Sequence, residues 1–168
     1  MTFDAVTYFR TMATKLNDIG HTEENEHFFR VRNLYDMNEL LDRLSNANFP
    51  ALLINDSMDG SMGDFAMSDN YLDEPQFVFY VLAEADITSQ ASIDQAVQTA
   101  KTIGQKIISM MLRHKMQGKH GLEFLDMTNI PYQTIGPIGD YCYGMMFFVN
   151  VSEHIELIVN PEDWDGSW

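Results

Sequence analysis

Apolar residues at helical spacing predict three helices. The clearest pattern runs from Thr88 or Ser89, either of which can cap a helix, to about His114, with polar side chains on the opposite face. Shorter patterns predict a helix over residues 3–16 and another that begins at Asp36. The long helix contains Gly104, which allows the backbone of a neighbouring element to approach closely.

Asp36 and Glu39 are spaced as the two polar members of a capping box. The apolar stripe that follows is formed by Met37, Leu40, Leu41 and Leu44. The second helix is therefore predicted to have Asp36 as its N-cap and to end around Asn46 to Asn48.

Strand-like patterns occupy most of the remaining chain. Runs of β-branched and aromatic residues between turn residues are typical of buried strands. The predicted strands cover residues 28–32, 51–54, 76–84, 122–125, 132–135, 141–151 and 154–159. The last two are expected to form a hairpin joined near Ser152, after a turn at residues 136–140. The sequence therefore predicts one α+β domain over residues 1–168, a mostly antiparallel sheet packed against the long helix and the N-terminal helices.

The segment from Asn55 to Glu74 is rich in Asp, Ser, Gly and Met. It is predicted to be either a long loop or an irregular hairpin. Because loops longer than about 15 residues are uncommon and often functional, this segment is a reasonable place for contacts with a partner.

Composition narrows the class of protein. The chain has 168 residues, of which 45% are hydrophobic, enough for a sizeable core. No stretch approaches the roughly 18 uncharged apolar residues that span a bilayer, and no secretory signal is visible. The single cysteine, Cys142, rules out an intramolecular disulfide and fits a reducing cytosol. The expectation is a cytoplasmic type of domain that does not enter membranes.

Charge excludes two classes of partner. Ten Lys and Arg face 25 Asp and Glu, which gives a net charge of −15. Nucleic-acid affinity rests on cations that displace counterions, so sequence-specific nucleic-acid binding is not expected, and anionic membranes are disfavoured for the same reason. The negative charge either keeps the protein soluble or provides a surface that lets DNA pass or meets a basic partner.

Catalytic and metal-binding patterns are incomplete. His21 and His27 are six residues apart, which does not match the spacing of a helical zinc site, so a solvated polar connection is predicted there. A calcium loop beginning at Asn55 would place Ala66 at the twelfth position, where a glutamate belongs. Cys142 lies in a strand pattern and is predicted to be a packed or half-buried thiol. The predicted catalytic, cofactor and metal residues are therefore none.

One enzymatic alternative uses the acidic segment. Asp56, Asp59 and Asp64 provide carboxylates for acid–base chemistry if the fold brings them together. Carboxylates in a loop rich in serine and glycine are usually solvated, so this reading ranks behind two non-enzymatic ones.

Interface candidates are found in three places. Basic residues at the end of the long helix either complement the helix dipole or contact an acidic surface of an identical subunit, an arrangement that favours rings. Methionines in the acidic segment and two C-terminal tryptophans are typical of adaptable interfaces. The candidate residues are Met58, Met62, Met67, Tyr71, Arg113, Lys115, Lys119, Trp164 and Trp168.

The order of elements resembles that of phage tail-terminator and tail-completion proteins. The similarity is carried by the N-terminal helix, the strand opened by Phe49-Pro50, the strand over residues 77–84, the helix over residues 93–111 and the hairpin after Gly136-Pro137-Ile138-Gly139-Asp140. The ending, from Tyr143-Gly144 through Asn160-Pro161-Glu162-Asp163-Trp164, resembles prophage proteins of the Bacteroides group. The resemblance implies a sheet flanked by helices and a ring, typically a hexamer, that caps the tail tube and joins it to the neck. It also implies no catalytic residues.

Two functions follow as expectations. The first is a phage-derived structural protein, in the virion or the host cytoplasm, that forms a homo-oligomeric ring at the tail end or the head–tail junction. Its contacts would be the sheet edges and residues 55–74, and its partners would be tail-tube or neck proteins. The alternative is a small acidic adaptor or regulatory module that binds one protein partner.

Overall fold

The computed structural model describes residues 2–32, 37–55, 59–64, 71–157 and 160–163, and it has an α+β fold, as predicted. The helices are α1 (Ala5–Lys15), α2 (Met37–Leu44) and α3 (Gln90–Met116). The strands are β1 (Phe28–Val31), β2 (Ala51–Asn55), β3 (Asp59–Asp64), β4 (Tyr71–Glu84), β5 (Tyr132–Ile138), β6 (Cys142–Asn150) and β7 (Glu153–Ile155). A short 3-10 helix covers Pro161–Asp163.

The sheet is built around β4, which has 14 residues. The strand order is β1-β2-β4-β6-β5, with β3 and β7 also paired to β4. β1 runs parallel to β2, and the other pairs are antiparallel. β2 and β3 follow each other along one side of β4, while β6 and β7 follow each other along the other side.

The predicted C-terminal hairpin is wrong, because β7 pairs with β4 and not with β6. The pairs Gln76–Asn150 and Asp73–Glu153 belong to one continuous register, so the chain runs straight on after β6. Pro75 lies opposite the interruption between β6 and β7 and has no N–H to donate to a ladder. Residues 158 and 159 of the predicted final strand lie outside the described residues.

The predicted strand over residues 122–125 is also wrong. Gly118, His120 and Gly121 have φ values of 60°, 61° and 73°, so the chain turns sharply after α3. Leu122 and Leu125 then both enter the core, a three-residue spacing that suits a turn and not a strand. The segment keeps a single bridge, from Leu125 to Val151.

Two further predictions concern turns. The turn predicted at residues 136–140 begins later in the chain, because β5 continues to Ile138. Gly136 lies in β5, where the pairing with β6 shifts in register between Ile135 and Ile138. Of the two alternatives for residues 55–74, the hairpin is confirmed, since β3 pairs with residues 71–76 of β4. Asp36, residues 56–58 and residues 65–70 lie outside the described residues.

Helices cover both faces of the sheet. α1 and α3 pack on one face, where the rings of Phe9, Phe79 and Phe147 are fully or almost fully buried. Phe79 lies between the other two, with ring centroids 4.8 Å from Phe9 and 4.9 Å from Phe147. α2 packs on the opposite face through Leu40 and Leu44. In the part of the chain that the structure describes, no helix is long and apolar enough to cross a membrane.

The close approach predicted at Gly104 is confirmed. A Cβ atom at this position would lie 2.1 Å from the Cζ atom of Phe147. The glycine therefore lets α3 lie directly on the aromatic ring, and it sets the distance between the helix and the sheet.

Candidate assembly interface

A three-stranded arm extends the sheet at the N-terminal end of β4. It consists of β3, residues 71–76 of β4, and β7, and we call it the arm. β3 packs mainly on β4, and its residues 59–63 are exposed. The arm contains five acidic residues and no Lys or Arg. The acidic residues are Asp59, Asp64, Asp73, Glu74 and Glu153.

One face of the arm combines apolar and acidic side chains. Met62 pairs with Asp73, and Tyr71 pairs with Ile155, so strand alternation places these four side chains on one side of the arm. Met62 is 65% exposed, while Tyr71, Asp73 and Ile155 are half-buried. This face has the composition of a recognition surface, with an apolar centre beside negative charge.

The basic cluster predicted at the end of α3 is divided by the fold. Arg113 and Lys119 are exposed, and neither forms an ion pair with the described part of the chain. Lys115 is half-buried and donates a hydrogen bond to the carbonyl oxygen of Leu125. Lys115 therefore holds the turn after α3, and the other two are available for contacts.

A groove of about 270 Å³ runs between α1 and α3. Its apolar lining is formed by Met12, Leu16, Ile107 and Met110. Its polar lining is formed by Thr11, Lys15, Lys106, His114 and His120. Lys106 is bound to Asp18, with 2.7 Å between the nitrogen and an oxygen of the carboxylate. Lys15 forms no ion pair with any described residue, so it gives the groove a positive rim.

A histidine pair closes one end of the groove. The ring centroids of His114 and His120 are 4.7 Å apart, and the Tyr8 hydroxyl lies 3.0 Å from Nδ1 of His114. Burial lowers the pKa of His114, and the neighbouring positive groups lower it further, His120 first. Tyr8 and His114 therefore share a hydrogen bond, and this end of the groove is polar.

The solvated connection predicted over residues 21–27 is confirmed for residues 22–26, which are exposed, but is wrong at its two ends, since His21 and His27 are only 8% and 6% exposed. The backbone N–H of His27 donates to Nδ1 of His21 at 3.1 Å. The Nδ1 atom of His27 lies 2.8 Å from the Pro50 carbonyl oxygen, which links this segment to the start of β2. Both imidazoles are buried because they have these partners. Among the described residues, no group of three or more His, Cys, Asp or Glu is arranged to hold a metal ion.

The predicted packed thiol is confirmed at Cys142. The side chain is fully buried, its Sγ atom donates to the Ile138 carbonyl oxygen at 3.2 Å, and burial raises the pKa of the thiol to about 12. The thiolate is the reactive form of cysteine, so the group is protected in the folded protein.

We therefore expect a thiol reagent such as 5,5′-dithiobis(2-nitrobenzoic acid) to label Cys142 slowly in the native protein at pH 8. Labelling should become at least about a hundredfold faster in denaturant, since the pKa then returns to its ordinary value. The absorbance of the released thiolate measures both rates. Equal rates with and without denaturant would show that the thiol is accessible.

Two of the three carboxylates of the enzymatic alternative lie apart in the structure. Asp59 and Asp64 lie at the two ends of β3, a separation of about 17 Å along an extended strand. Asp56 lies outside the described residues, as do the interface candidates Met58, Met67, Trp164 and Trp168.

The sequence-based predictions missed a second cationic surface. Four of the five arginines line a cavity of about 460 Å³ beside β1, the strand at one edge of the sheet. The four are Arg10, Arg30, Arg32 and Arg43. The available signal was the pair Arg30 and Arg32, one within β1 and one directly after it, but Arg10 and Arg43 reach the same cavity only through the tertiary fold. Arg30 and Arg32 already take part in interactions within the molecule.

The sequence matches no protein-family model, and a comparison with curated proteins finds no matching relative.

Proposed function

We propose that this protein is a structural assembly protein of phage origin. In this proposal its copies join head to tail into a homo-oligomeric ring at the tail end or at the head–tail junction. Its partners are then further copies of the chain and tail-tube or neck proteins.

The observation that supports this proposal is the separation of opposite charges onto two different surfaces. The arm carries five acidic residues without a Lys or Arg, whereas Lys15, Arg113 and Lys119, which form no ion pair with a described residue, lie at or near the groove between α1 and α3. A contact between two different surfaces repeats from copy to copy, and it gives a ring if the rotation closes. Opposite charge also favours this contact over arm–arm or groove–groove pairing.

The fold is compatible with the phage context. The resemblance to tail terminators implies a sheet with helices on both faces, and this fold has that arrangement. The resemblance in element order covers most of the chain in outline. The net charge of −15 suits a ring whose lumen lets DNA pass without binding it.

Sedimentation velocity over a concentration series tests the assembly. We expect a shift from monomer to one larger species as concentration rises, and a return to monomer in about 1 M salt, where the screening length is about 3 Å. A chain that remains monomeric at every concentration, and also after addition of the tail-tube protein of the phage that encodes it, contradicts the proposal.

The adaptor is the second candidate, and the exposed arm is the observation that favours it. An arm with an exposed methionine can bind one foreign partner as well as another copy. A defined one-to-one complex with such a partner, without a ring under any condition, would support the adaptor instead.

A further inference from the structure

We infer that Met62 of one copy inserts into the groove between α1 and α3 of the next copy, with Asp73 of the arm facing Lys15 of the groove. This inference rests on the proposed assembly and specifies which surfaces form it.

The shape and lining of the groove suit a single flexible apolar side chain. The volume of about 270 Å³ exceeds what one methionine fills, and the floor is formed by Met12, Leu16 and Ile107. Met12 and Ile107 are buried, whereas Met110 at the side is 37% exposed. Methionines adjust their shape to an incoming group, so the lining can close on it.

Met62 is the apolar side chain that we infer to insert into this groove. It lies in the exposed strand β3 and is 65% exposed, so its own groove does not hold it. Its neighbours along the strand, Ser61 and Gly63, are small residues. An exposed apolar side chain between small residues is typical of an anchor that a partner pocket receives.

The charged residues of the groove lining indicate which kind of side chain the groove binds. The groove lining contains Lys15, Lys106 and two histidines but no carboxylate, and the adjacent Asp18 is bound to Lys106. The fitting occupant is therefore an apolar side chain beside an acidic one. Met62 has Asp73 as its direct cross-strand partner, which supplies both groups on one face.

The arginine cavity beside β1 is a weaker receptor for the arm. Arg30 and Arg32 already interact within the molecule, so an incoming carboxylate would compete with existing partners. Its apolar lining residues, Phe28 and Phe29, are buried in the two cores, which leaves no pocket for a methionine.

A charge exchange tests the contact. Asp73→Lys and Lys15→Glu should each weaken self-association about tenfold or more, because each places like charges across the interface. Both changes in one chain should restore association, and so should an equimolar mixture of the two single variants, since every arm then finds a groove of opposite charge. Asp140→Lys, an equal charge change in the exposed turn between β5 and β6, should leave association unchanged.

A second pair of variants tests the contact made by Met62. Met62→Ser should weaken association, whereas Met116→Ser should not, although Met116 is 80% exposed and lies at the end of α3. Equal effects of the two would show a non-specific apolar contact and overturn the inference. Thermal unfolding of every variant verifies that it is folded.

The results separate this inference from the proposed function. If the wild type assembles but neither the double variant nor the mixture recovers association, the docking inference is wrong and the assembly proposal stands. If the wild type stays monomeric at its highest soluble concentration, the arm does not dock on the groove, and the inference fails. The proposed function then depends on the experiment with tail-tube protein.

Discussion

Substitution of Phe79 by alanine should lower the free energy of unfolding by about 3–5 kcal/mol. The side chain is 0% exposed and lies on the central strand between the rings of Phe9 and Phe147. Its removal takes away a large apolar surface and leaves a cavity that the strand and the helices cannot fill. Urea unfolding followed by circular dichroism measures the loss.

Phe124→Ala is the matched control, because Phe124 is 53% exposed and lies outside the core. We expect a loss of less than about 1 kcal/mol for this variant. Similar losses for the two phenylalanines would contradict the core arrangement described above.

Gly104→Ala should destabilise the protein by about 1–3 kcal/mol, although glycine-to-alanine changes in helices usually stabilise by about 1 kcal/mol. The reversal of sign is expected because the new methyl group meets the ring of Phe147 at 2.1 Å. That ring is 1% exposed and stacked on Phe79 at an interplanar angle of 12°, so it cannot move without disturbing the core around it. Urea unfolding again provides the free energy.

Two variants sharpen this test. Gly63→Ala adds a methyl group where no atom lies within 4 Å, so it should have almost no effect. Combining Gly104→Ala with Phe147→Leu should recover part of the loss relative to the sum of the single changes, since the smaller side chain leaves room. A stabilised Gly104→Ala variant would mean that α3 does not lie on Phe147.

The helices were predictable because their signals are local. α3 is defined by apolar residues every three or four positions and by the cap at Ser89, and both are visible in the sequence. The structure extends this helix to Met116, two residues beyond the prediction. Gly104 was recognisable as a close approach for the same reason, since a glycine inside a strong helix needs an explanation.

Strand partners were not predictable from the same kind of pattern. Alternation shows that residues 153–155 are extended but not that they continue along β4 instead of folding back on β6. The buried His27 has its partner in the carbonyl of Pro50, more than 20 residues away in the sequence. Such contacts belong to the tertiary fold, and a local pattern contains no information about them.

The candidate interface was predictable in part. Met62, Arg113 and Lys119 are exposed, as an interface requires, whereas Lys115 is held by a backbone carbonyl. The groove itself joins α1 to α3, about 90 positions apart, so only the fold shows it. The net charge of −15 does not show that cations cluster at the groove and in the arginine cavity.

The native mass of the wild-type protein tests most directly whether its copies assemble into a ring. Light scattering over a concentration series, with negative-stain images of the largest species, measures this mass and its shape. We expect the largest species to have a mass that is one discrete multiple of 19.3 kDa and to appear as a closed ring. A mass of 19.3 kDa at every concentration, unchanged when tail-tube protein is added, would contradict this expectation.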